Sequence, residues 1–319
     1  MKISEVIELL KIDPESTLKS LGEKETVKIL DHLANKYYNE IPIVSDELFD
    51  IIKEHYETEY DIKYKVGASI KTTKSTKSAT MSISNEKNGT NGTKVKLPYW
   101  MGSLDKIKPS SNTFNNWISK FPGPYVLSWK LDGISALIYK HKGQVYMYTR
   151  GDGVEGQDIS HCIEMIGINI NKMTEGDAIR GELIMSKENF KIIANRMANP
   201  RNAVSGIIGT KKSDPDLLKL IDFVAYWVLS PQLKASEQLE YIKKKNFIPR
   251  SVEYEIKNKI TLEELSAKII EGRKSHKYEI DGIVVIDDSK YYPHEDGSNP
   301  SYGFAFKPII NNFVMILTI

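Results

Sequence analysis

Residues 125–153 read YVLSWKLDGISALIYKHKGQVYMYTRGDG, and this stretch decides the fold class. Its first segment, 125–129, has the apolar pattern of a strand and leads directly into Lys130. Two further strand patterns, 134–139 and 144–150, are separated by Lys-His-Lys-Gly, a composition typical of a hairpin turn. Strands joined by a short turn pair antiparallel, so the sequence predicts an antiparallel sheet here.

Strand and helix patterns alternate irregularly in the rest of the chain. The sequence predicts strands at 178–185, 220–229, 280–286 and 303–306, and helices at 186–198, 236–245 and 262–273. Residues 199–202, Asn-Pro-Arg-Asn, are predicted to be a polar loop. Because no strict βαβ rhythm is present, we expect an α+β fold with antiparallel sheets over residues 97–312.

The N-terminal residues 1–66 are expected to form a small all-helical domain. Apolar side chains between residues 27 and 38 keep a period of 3.6, which indicates a helix with one buried face. A second helix, with Ser45 as its predicted N-cap, carries Asp46 and Asp50 one turn apart on one face.

Residues 67–96 are predicted to be a low-complexity linker or insertion. Within 71–93, 19 of the 23 residues are Ser, Thr, Lys, Asn or Gly. Such a segment cannot bury enough apolar surface to offset the entropy that ordering costs. A solvated tether is the preferred interpretation, and the lysines around it leave a phosphate-binding arm as the alternative.

Composition excludes several classes of protein. The 319 residues are 40% hydrophobic and 27% charged, with a formal net charge of +2, as in globular proteins. The single cysteine, Cys162, excludes a disulfide-stapled scaffold and a cysteine-rich zinc site. No apolar run approaches the roughly 18 residues of a membrane span, and the N-terminus predicts an amphipathic helix rather than a signal peptide. We therefore expect a monomeric, cytoplasmic protein without zinc and without a membrane partner.

Charged residues in or beside apolar strands are the candidates for chemistry. Lys130 follows Trp129 and is expected to be partly desolvated, which would lower its pKa and favour a nucleophilic amine. Taken singly, each candidate has an ordinary structural explanation as a strand-end lysine, a turn or an ion pair. The full set comprises Lys130, Asp132, Arg150, Glu182, Asp281 and Lys307. Together they supply a nucleophile, cations for phosphate and carboxylates for a metal, the groups that nucleotidyl transfer requires.

In their order along the chain, these motifs resemble those of the NAD⁺-dependent DNA ligases. The matching segments are 130–133 (KLDG), 149–153 (TRGDG), 179–182 (IRGE), 198–203 (ANPRNA), 279–285 (EIDGIVV) and 304–307 (FAFK). The resemblance covers about residues 27–312 without the 71–93 insertion, and implies an ATP-grasp-like nucleotidyltransferase domain. It also implies that the N-terminal helices bind nicotinamide mononucleotide (NMN), a domain that ATP-dependent ligases lack.

The resemblance implies a role for each matched residue. Lys130 would attack the adenylyl phosphorus of NAD⁺, release NMN and hold AMP until its transfer to the 5′-phosphate of nicked double-stranded DNA. Asp132 and Arg150 would contact ribose or phosphate, and Lys307 would neutralise the phosphate. Glu182 and Asp281 would contact ribose and a Mg²⁺ or Mn²⁺ ion. The implied cofactor-binding residues are Tyr37, Tyr38, Asp46, Asp50, Ser103, Leu104, Gly133, Arg201 and Arg273.

Two departures from the family pattern concern the adenine base. Ser128 stands where the family usually has Glu, and Ile286 stands where it usually has Lys. We expect adenine to be held mainly by apolar contacts and backbone groups. The departures and the insertion are similar to the versions carried by large DNA viruses.

The length also differs from that of full ligases. Residues 313–319 resemble the start of the OB domain that follows in such enzymes, which implies an adenylation fragment that self-adenylates without sealing nicks efficiently. Two alternatives remain open from the sequence. One is an ATP- or GTP-dependent relative of the RNA-ligase or capping type, and the other is a catalytically silent nucleic-acid-binding module.

Overall fold

A computed structural model describes residues 3–39, 43–44, 46–62, 64, 94–107, 112–195, 197, 199–210, 214–294 and 297–307. The chain divides into two compact units, Met1–Glu86 and Lys87–Ile319. Within the described ranges, no helix combines the length and the apolar character that crossing a membrane requires.

In the described residues of the first unit there are four helices: α1 (Ile3–Ile12), α2 (Pro14–Lys19), α3 (Glu23–Asn39) and α4 (Asp46–Glu59). Their apolar faces share one core, which contains Leu10, Leu18, Leu30, Leu33 and Ile52. The expected helical character of this segment is confirmed. Ser45, the predicted cap of α4, lies outside the described residues.

The part of the second unit that the structure describes contains two five-stranded sheets and a two-stranded ribbon. The strands are β1 (Lys94–Lys96), β2 (Asp105–Ile107), β3 (Tyr125–Leu131), β4 (Ile134–His141), β5 (Gln144–Thr149), β6 (Glu155–Gln157), β7 (Ala178–Met185), β8 (Ile221–Ser230), β9 (Arg250–Ser251), β10 (Tyr254–Lys257), β11 (Ile280–Asp287) and β12 (Gly303–Phe306). The helices are α5 (Thr113–Lys120), α6 (Lys187–Ile193), α7 (Pro200–Ile208), α8 (Pro215–Leu218), α9 (Ala235–Lys245) and α10 (Leu262–Ser275).

The first sheet has the strand order β10-β3-β11-β12-β2, and the second has the order β5-β4-β7-β8-β9. Neighbouring strands are antiparallel except at one edge of each sheet, where β12 pairs with β2 and β8 with β9 in parallel. The predicted α+β class with antiparallel sheets is therefore confirmed. The chain passes from the first sheet to the second between β3 and β4, directly after Lys130.

The two faces of the first sheet differ in character. One face is covered by α5 and α10 and forms a core with Leu127, Ile283, Val285, Phe304 and Phe306. Side chains alternate along a strand, so Ser128 and Lys130 lie on the opposite face of β3. That second face carries the candidate chemistry.

Two boundary predictions are corrected by the structure. Residues 94–96, which the sequence analysis placed in the linker, form β1 and pair antiparallel with β6. The helix predicted over 186–198 begins as expected, with Ser186 Oγ accepting a hydrogen bond from Asn189 N, but ends at Ile193. The rest of the predicted linker and the segment 308–319 lie outside the described residues.

Residues 199–202 were predicted to be a polar loop, and this prediction is wrong. Asn199 is the N-cap of α7, where its Oδ1 accepts a hydrogen bond from Asn202 N at 2.8 Å. Pro200 occupies the first helical turn, where a missing N–H group costs nothing. The dipeptide Asn-Pro is common both in turns and at helix starts. Here the apolar residues that follow it favour a helix.

Candidate active site

Two lysines bind the same carboxylate. Lys130 Nζ donates to Asp281 Oδ2 at 2.8 Å, and Lys307 Nζ lies 2.7 Å from Asp281 Oδ1. Burial alone would raise the pKa of the Asp281 carboxyl, but the two ammonium groups outweigh burial and hold this pKa well below its usual range. Lys130 keeps 32% of its side chain exposed, so it is less desolvated than its apolar neighbours in sequence suggest.

A β-bulge brings Asp281 to Lys130. Ile280 pairs with Leu131 and Gly282 pairs with Lys130, so Asp281 is an extra residue with no counterpart on β3. Such a residue interrupts the alternation of side chains and redirects its own. Gly282 allows β12 to come close, because a Cβ atom there would lie only 2.2 Å from the Phe306 carbonyl oxygen. Lys307 follows directly, which explains how it reaches Asp281.

The turn after Lys130 is anchored by both backbone and side chain. Asp132 N donates to Glu279 O at 3.0 Å, and Asp132 Oδ1 accepts a hydrogen bond from Arg201 Nη1 at 2.7 Å. Gly133 packs against β7, where a Cβ atom would lie 2.4 Å from Leu183 O. The structure thus brings Asp132, Gly133 and Arg201 together beside Lys130.

Glu182 projects from β7 toward the same group of charges. Its side chain is buried, with 9% of the residue exposed. Burial raises the pKa of the Glu182 carboxyl, against the attraction of the Lys130 and Arg201 charges. The carboxyl therefore holds a proton more tightly than it would in water.

Residues 101–104 form a loop that contains the implied cofactor-binding residues Ser103 and Leu104, and this loop is hydrogen-bonded to two arginines. Arg150 Nη1 donates to Ser103 Oγ at 2.8 Å, and Arg180 Nη1 donates to Gly102 O at 2.8 Å. Burial and the neighbouring Arg180 charge lower the pKa of the Arg150 guanidinium. Leu104 packs against an apolar cluster that contains Ile286. The loop that contains Ser103 and Leu104 therefore contacts both Arg150 and the neighbouring sheets.

Arg273 lies in the last turn of α10, where its carbonyl oxygen accepts a hydrogen bond from Lys187 Nζ at 2.9 Å. The candidates of the first unit lie in α3 and α4. The side chains of Tyr37, Tyr38, Asp46 and Asp50 fall outside the described residues, so their implied role stays a prediction.

Three polar residues of the second sheet have no role predicted from the sequence. Ser135, Arg180 and Tyr226 come from the adjacent strands β4, β7 and β8 and are mutually hydrogen-bonded. Arg180 was visible in the sequence as a charge inside an apolar strand. Tyr226 gave no such signal, because a tyrosine in a run of apolar residues usually belongs to the core.

Positive charge predominates in the described part of the site. The cations are Lys130, Arg150, Arg180, Arg201 and Lys307. The carboxylates are Asp132, Glu182 and Asp281. The surplus of cations grows when Glu182 is protonated, and such a site attracts ligands that carry phosphate groups.

Some carboxylates of the site are candidate ligands for a divalent cation. Among the residues that the structure describes, no group of three or more His, Cys, Asp or Glu side chains could hold a metal. Glu182 and Asp281 can offer two carboxylates near Lys130. Mg²⁺ usually takes one or two protein carboxylates and completes its shell with water and phosphate oxygens, so the number and type of these side chains are compatible with Mg²⁺.

Comparisons with known proteins identify the family of this chain. The NAD-dependent DNA ligase adenylation domain profile matches residues 94–307. A DNA ligase of Acanthamoeba polyphaga mimivirus is 38% identical, with 91% of this chain and 43% of the relative aligned. A putative DNA ligase of Invertebrate iridescent virus 6 is 30% identical (90% of this chain, 44% of the relative). A DNA ligase of Helicobacter pylori is 29% identical (89% and 45%). The expected similarity to viral versions is confirmed, and the chain spans less than half the length of each of these relatives.

Proposed function

This chain belongs to the NAD-dependent DNA ligase adenylation domain family, and from this premise we propose that it transfers the adenylyl group of NAD⁺ to Lys130. The observation that carries the proposal is the shared contact of Lys130 and Lys307 with Asp281. It supports Lys130 as an oriented amine with a second cation nearby. Both are requirements for attack on a phosphate.

The proposed step exchanges one bond to phosphorus for another. Lys130 loses one proton to water and becomes a neutral amine. Its nitrogen forms a bond to the adenylyl phosphorus while the bond from phosphorus to the NMN phosphate oxygen breaks. NMN leaves with the electron pair, and the nitrogen releases a second proton, which leaves a neutral phosphoramidate N–H. The product is lysyl-AMP.

Asp281 has the properties of an orienting group rather than of a general base. Its pKa is held well below the usual range, and a carboxylate with such a low pKa is a weak proton acceptor. Its two oxygens fix the positions of two ammonium groups. Lys307 would remain to balance the negative charge that develops on the phosphate.

The surrounding residues would hold the nucleotide. Arg150 offers a planar guanidinium, which suits a phosphate or a ribose hydroxyl. Asp132, oriented by Arg201, would accept hydrogen bonds from ribose hydroxyls. Glu182 and Asp281 would supply the protein ligands of Mg²⁺. When bound, the metal would supply positive charge that stabilises the phosphate of the transition state.

Transfer of AMP to the 5′-phosphate of nicked DNA, and sealing of that nick, are proposals for the whole protein. The chain aligns with only 43% of the mimivirus ligase. We also propose that Asp46 and Asp50, with Tyr37 and Tyr38, recognise the NMN half of NAD⁺. This part rests on the sequence resemblance alone.

Intact-mass spectrometry tests the proposal. The protein is incubated with Mg²⁺ and either NAD⁺ or ATP. We expect a gain of one AMP from NAD⁺, no gain for Lys130→Ala and a reduced gain for Asp46→Ala. Lys140→Met is the matched control, because Lys140 also donates to an oxygen (Met173 O, 2.8 Å) but in another part of the unit. A gain from ATP only would indicate an ATP-dependent enzyme, and no gain from either would favour a binding module.

A further inference from the structure

We propose that Arg180 is a positioning residue for the nucleotide, because it fixes loop 101–104 from within the second sheet. The inference rests on the proposed function. Arg180 contacts the loop through Gly102, next to Ser103, so it would act through the loop and not on the reacting atoms.

Three of the polar contacts of Arg180 define this role. Nη1 donates to Gly102 O at 2.8 Å, while Nε donates to Ser135 Oγ at 3.1 Å and to Tyr226 Oη at 3.0 Å. Ser135 Oγ and Tyr226 Oη are themselves hydrogen-bonded at 2.7 Å. The guanidinium carbon lies 5.8 Å from the centre of the Tyr226 ring. One end of the guanidinium is thus held by the sheet and the other holds the loop.

A second β-bulge creates this arrangement. Arg180 pairs with Trp227 and Gly181 pairs with Ala225, so Tyr226 is an extra residue on β8 with no counterpart on β7. The bulge redirects the Tyr226 ring so that its hydroxyl reaches β4. Burial raises the pKa of this phenol, which keeps the hydroxyl protonated.

Substrate binding would weaken the contact of Arg150 with Ser103 more than the contact of Arg180 with Gly102. Arg150 binds a neutral hydroxyl, Ser103 Oγ. A guanidinium binds phosphate oxygens more strongly than a neutral hydroxyl, so a bound dinucleotide would compete for Arg150. Arg180 has its Nε within the sheet and its Nη1 on a backbone carbonyl. Its contact with the loop would therefore persist when Arg150 turns to the substrate.

Two other hydrogen bonds near the start of the loop do not reach β7. Met101 N donates to Gly153 O at 3.0 Å, and Trp100 Nε1 donates to Ser298 O at 3.2 Å. Both of these contacts lie on the N-terminal side of Gly102. Without Arg180, the backbone between Gly102 and Ser103 would lose its direct link to β7.

Single-turnover formation of lysyl-AMP over a range of NAD⁺ concentrations tests the inference. We expect Arg180→Met to raise the half-saturating NAD⁺ concentration about 10- to 100-fold, the range of a coupling of a few kcal/mol. The maximal rate should change by less than about 3-fold, because binding and not chemistry is affected. Arg180→Lys, which retains one donor for Gly102 O, should recover part of the loss.

Tyr226→Phe removes only the hydroxyl and keeps the ring. Alone it should raise the half-saturating concentration about 3- to 10-fold, and it should add little to Arg180→Met because both act through one contact network. Lys140→Met is again the matched control, with no effect expected. Melting temperatures of all variants identify any that fail to fold.

The outcomes separate the inference from the proposed function. If the unmodified protein forms no lysyl-AMP, the proposed function fails. The positioning role is overturned if labelling is normal but Arg180→Lys and Tyr226→Phe leave the NAD⁺ dependence unchanged, or if Arg180→Met lowers only the maximal rate. Strictly additive effects of Arg180→Met and Tyr226→Phe would also contradict it.

Discussion

Two of the β-bulges in the second unit, one on β11 and one on β8, use the same backbone device for different purposes. On β11 the extra residue is Asp281, and it gathers two ammonium groups. In the β8 bulge opposite Arg180 and Gly181 the extra residue is Tyr226, and its hydroxyl joins Arg180 and Ser135. In both strands one inserted residue brings a side chain to a place that regular alternation would not allow.

The difference between the bulges lies in their chemistry. The Asp281 bulge concentrates formal charge, so its loss should impair the chemical step. The Tyr226 bulge orients one guanidinium through neutral hydroxyls, so its loss should weaken the binding of the nucleotide. Maximal rate and NAD⁺ dependence are therefore the two measurements that distinguish them.

Asp281→Asn should have the largest effect. Removal of the negative charge frees both lysines, and misplacing a reacting group by about 1 Å can cost about 100-fold in rate. We expect a decrease of about 100-fold in the maximal rate of lysyl-AMP formation, measured by intact mass in single-turnover experiments. Asp222→Asn is the matched control, since Asp222 also binds two cations, Arg250 (2.7 Å) and Lys277 (3.4 Å). An equal loss of rate in both variants would contradict the assignment.

Alanine at the glycine beside each bulge should separate the two roles. A Cβ atom at Gly282 would lie 2.2 Å from Phe306 O, and one at Gly181 would lie 2.6 Å from Phe223 Cζ. Each substitution should destabilise the protein by about 1–3 kcal/mol, measured by chemical unfolding. Gly282→Ala should mainly lower the maximal rate, whereas Gly181→Ala should mainly raise the NAD⁺ requirement.

Gly206→Ala is the control for this pair. It lies within α7, where the nearest atom to an added Cβ is Met197 Cε at 3.8 Å. In a helix interior, alanine should stabilise by about 0.5–1 kcal/mol. If Gly282→Ala and Gly181→Ala gave the same kinetic change, the contrast between the bulges would be lost.

Glu182→Gln should reduce activity and yet stabilise the fold at neutral pH. The pKa of Glu182 is raised by burial, so the stability that its proton provides is present at low pH and is lost as pH rises through the folded-state pKa. Glutamine stays neutral, so the variant should be more stable at pH 7 by on the order of 1 kcal/mol. The advantage should disappear near pH 4, about where Glu titrates in an unfolded chain. Thermal unfolding at both pH values measures this, and a lower stability of the variant at pH 7 would be the contrary result.

Replacement of the adenine base of NAD⁺ should have the smallest effect on labelling of the protein. On the face of β3 and β11 that carries Lys130, the neighbouring residues are Ser128, Val284 and Ile286. Ile286 belongs to a buried apolar cluster that also contains Phe121 and Tyr302. An apolar surface discriminates poorly between compounds of similar shape, typically by no more than about 100-fold. The hypoxanthine and guanine analogues of NAD⁺ should label the protein within about 10-fold of NAD⁺ itself. Rejection of both analogues by more than about 1,000-fold would show that a polar group reads the base.

Much of the local structure could be predicted from the sequence. The hairpin predicted at 134–139 and 144–150 is formed by β4 and β5, with Lys142 and Gly143 at positive φ in the turn. β12 has the predicted bounds, 303–306. These elements depend on residues that are close together in the chain. Hydrophobic periodicity and turn composition are therefore sufficient to predict them.

The bulges could not be predicted, because they depend on pairing between distant strands. Lys130 and Asp281 are 151 residues apart, and nothing near Asp281 in the sequence indicates an extra residue on β11. The short strands β1, β2, β9 and β10 were missed for a similar reason, since their partners are remote in sequence. The helix start at Asn199 was missed because a cap and a turn share the same residues.

Locating the attached AMP shows whether Lys130 or Lys307 is the nucleophile. Lys130 and Lys307 bind the same carboxylate, so either amine lies where an adenylyl group could be attacked. The protein is treated with NAD⁺ and Mg²⁺, digested under conditions that preserve phosphoramidates, and sequenced by tandem mass spectrometry. We expect AMP on the peptide that contains Lys130 and on no other lysine. AMP on Lys307 would contradict this expectation.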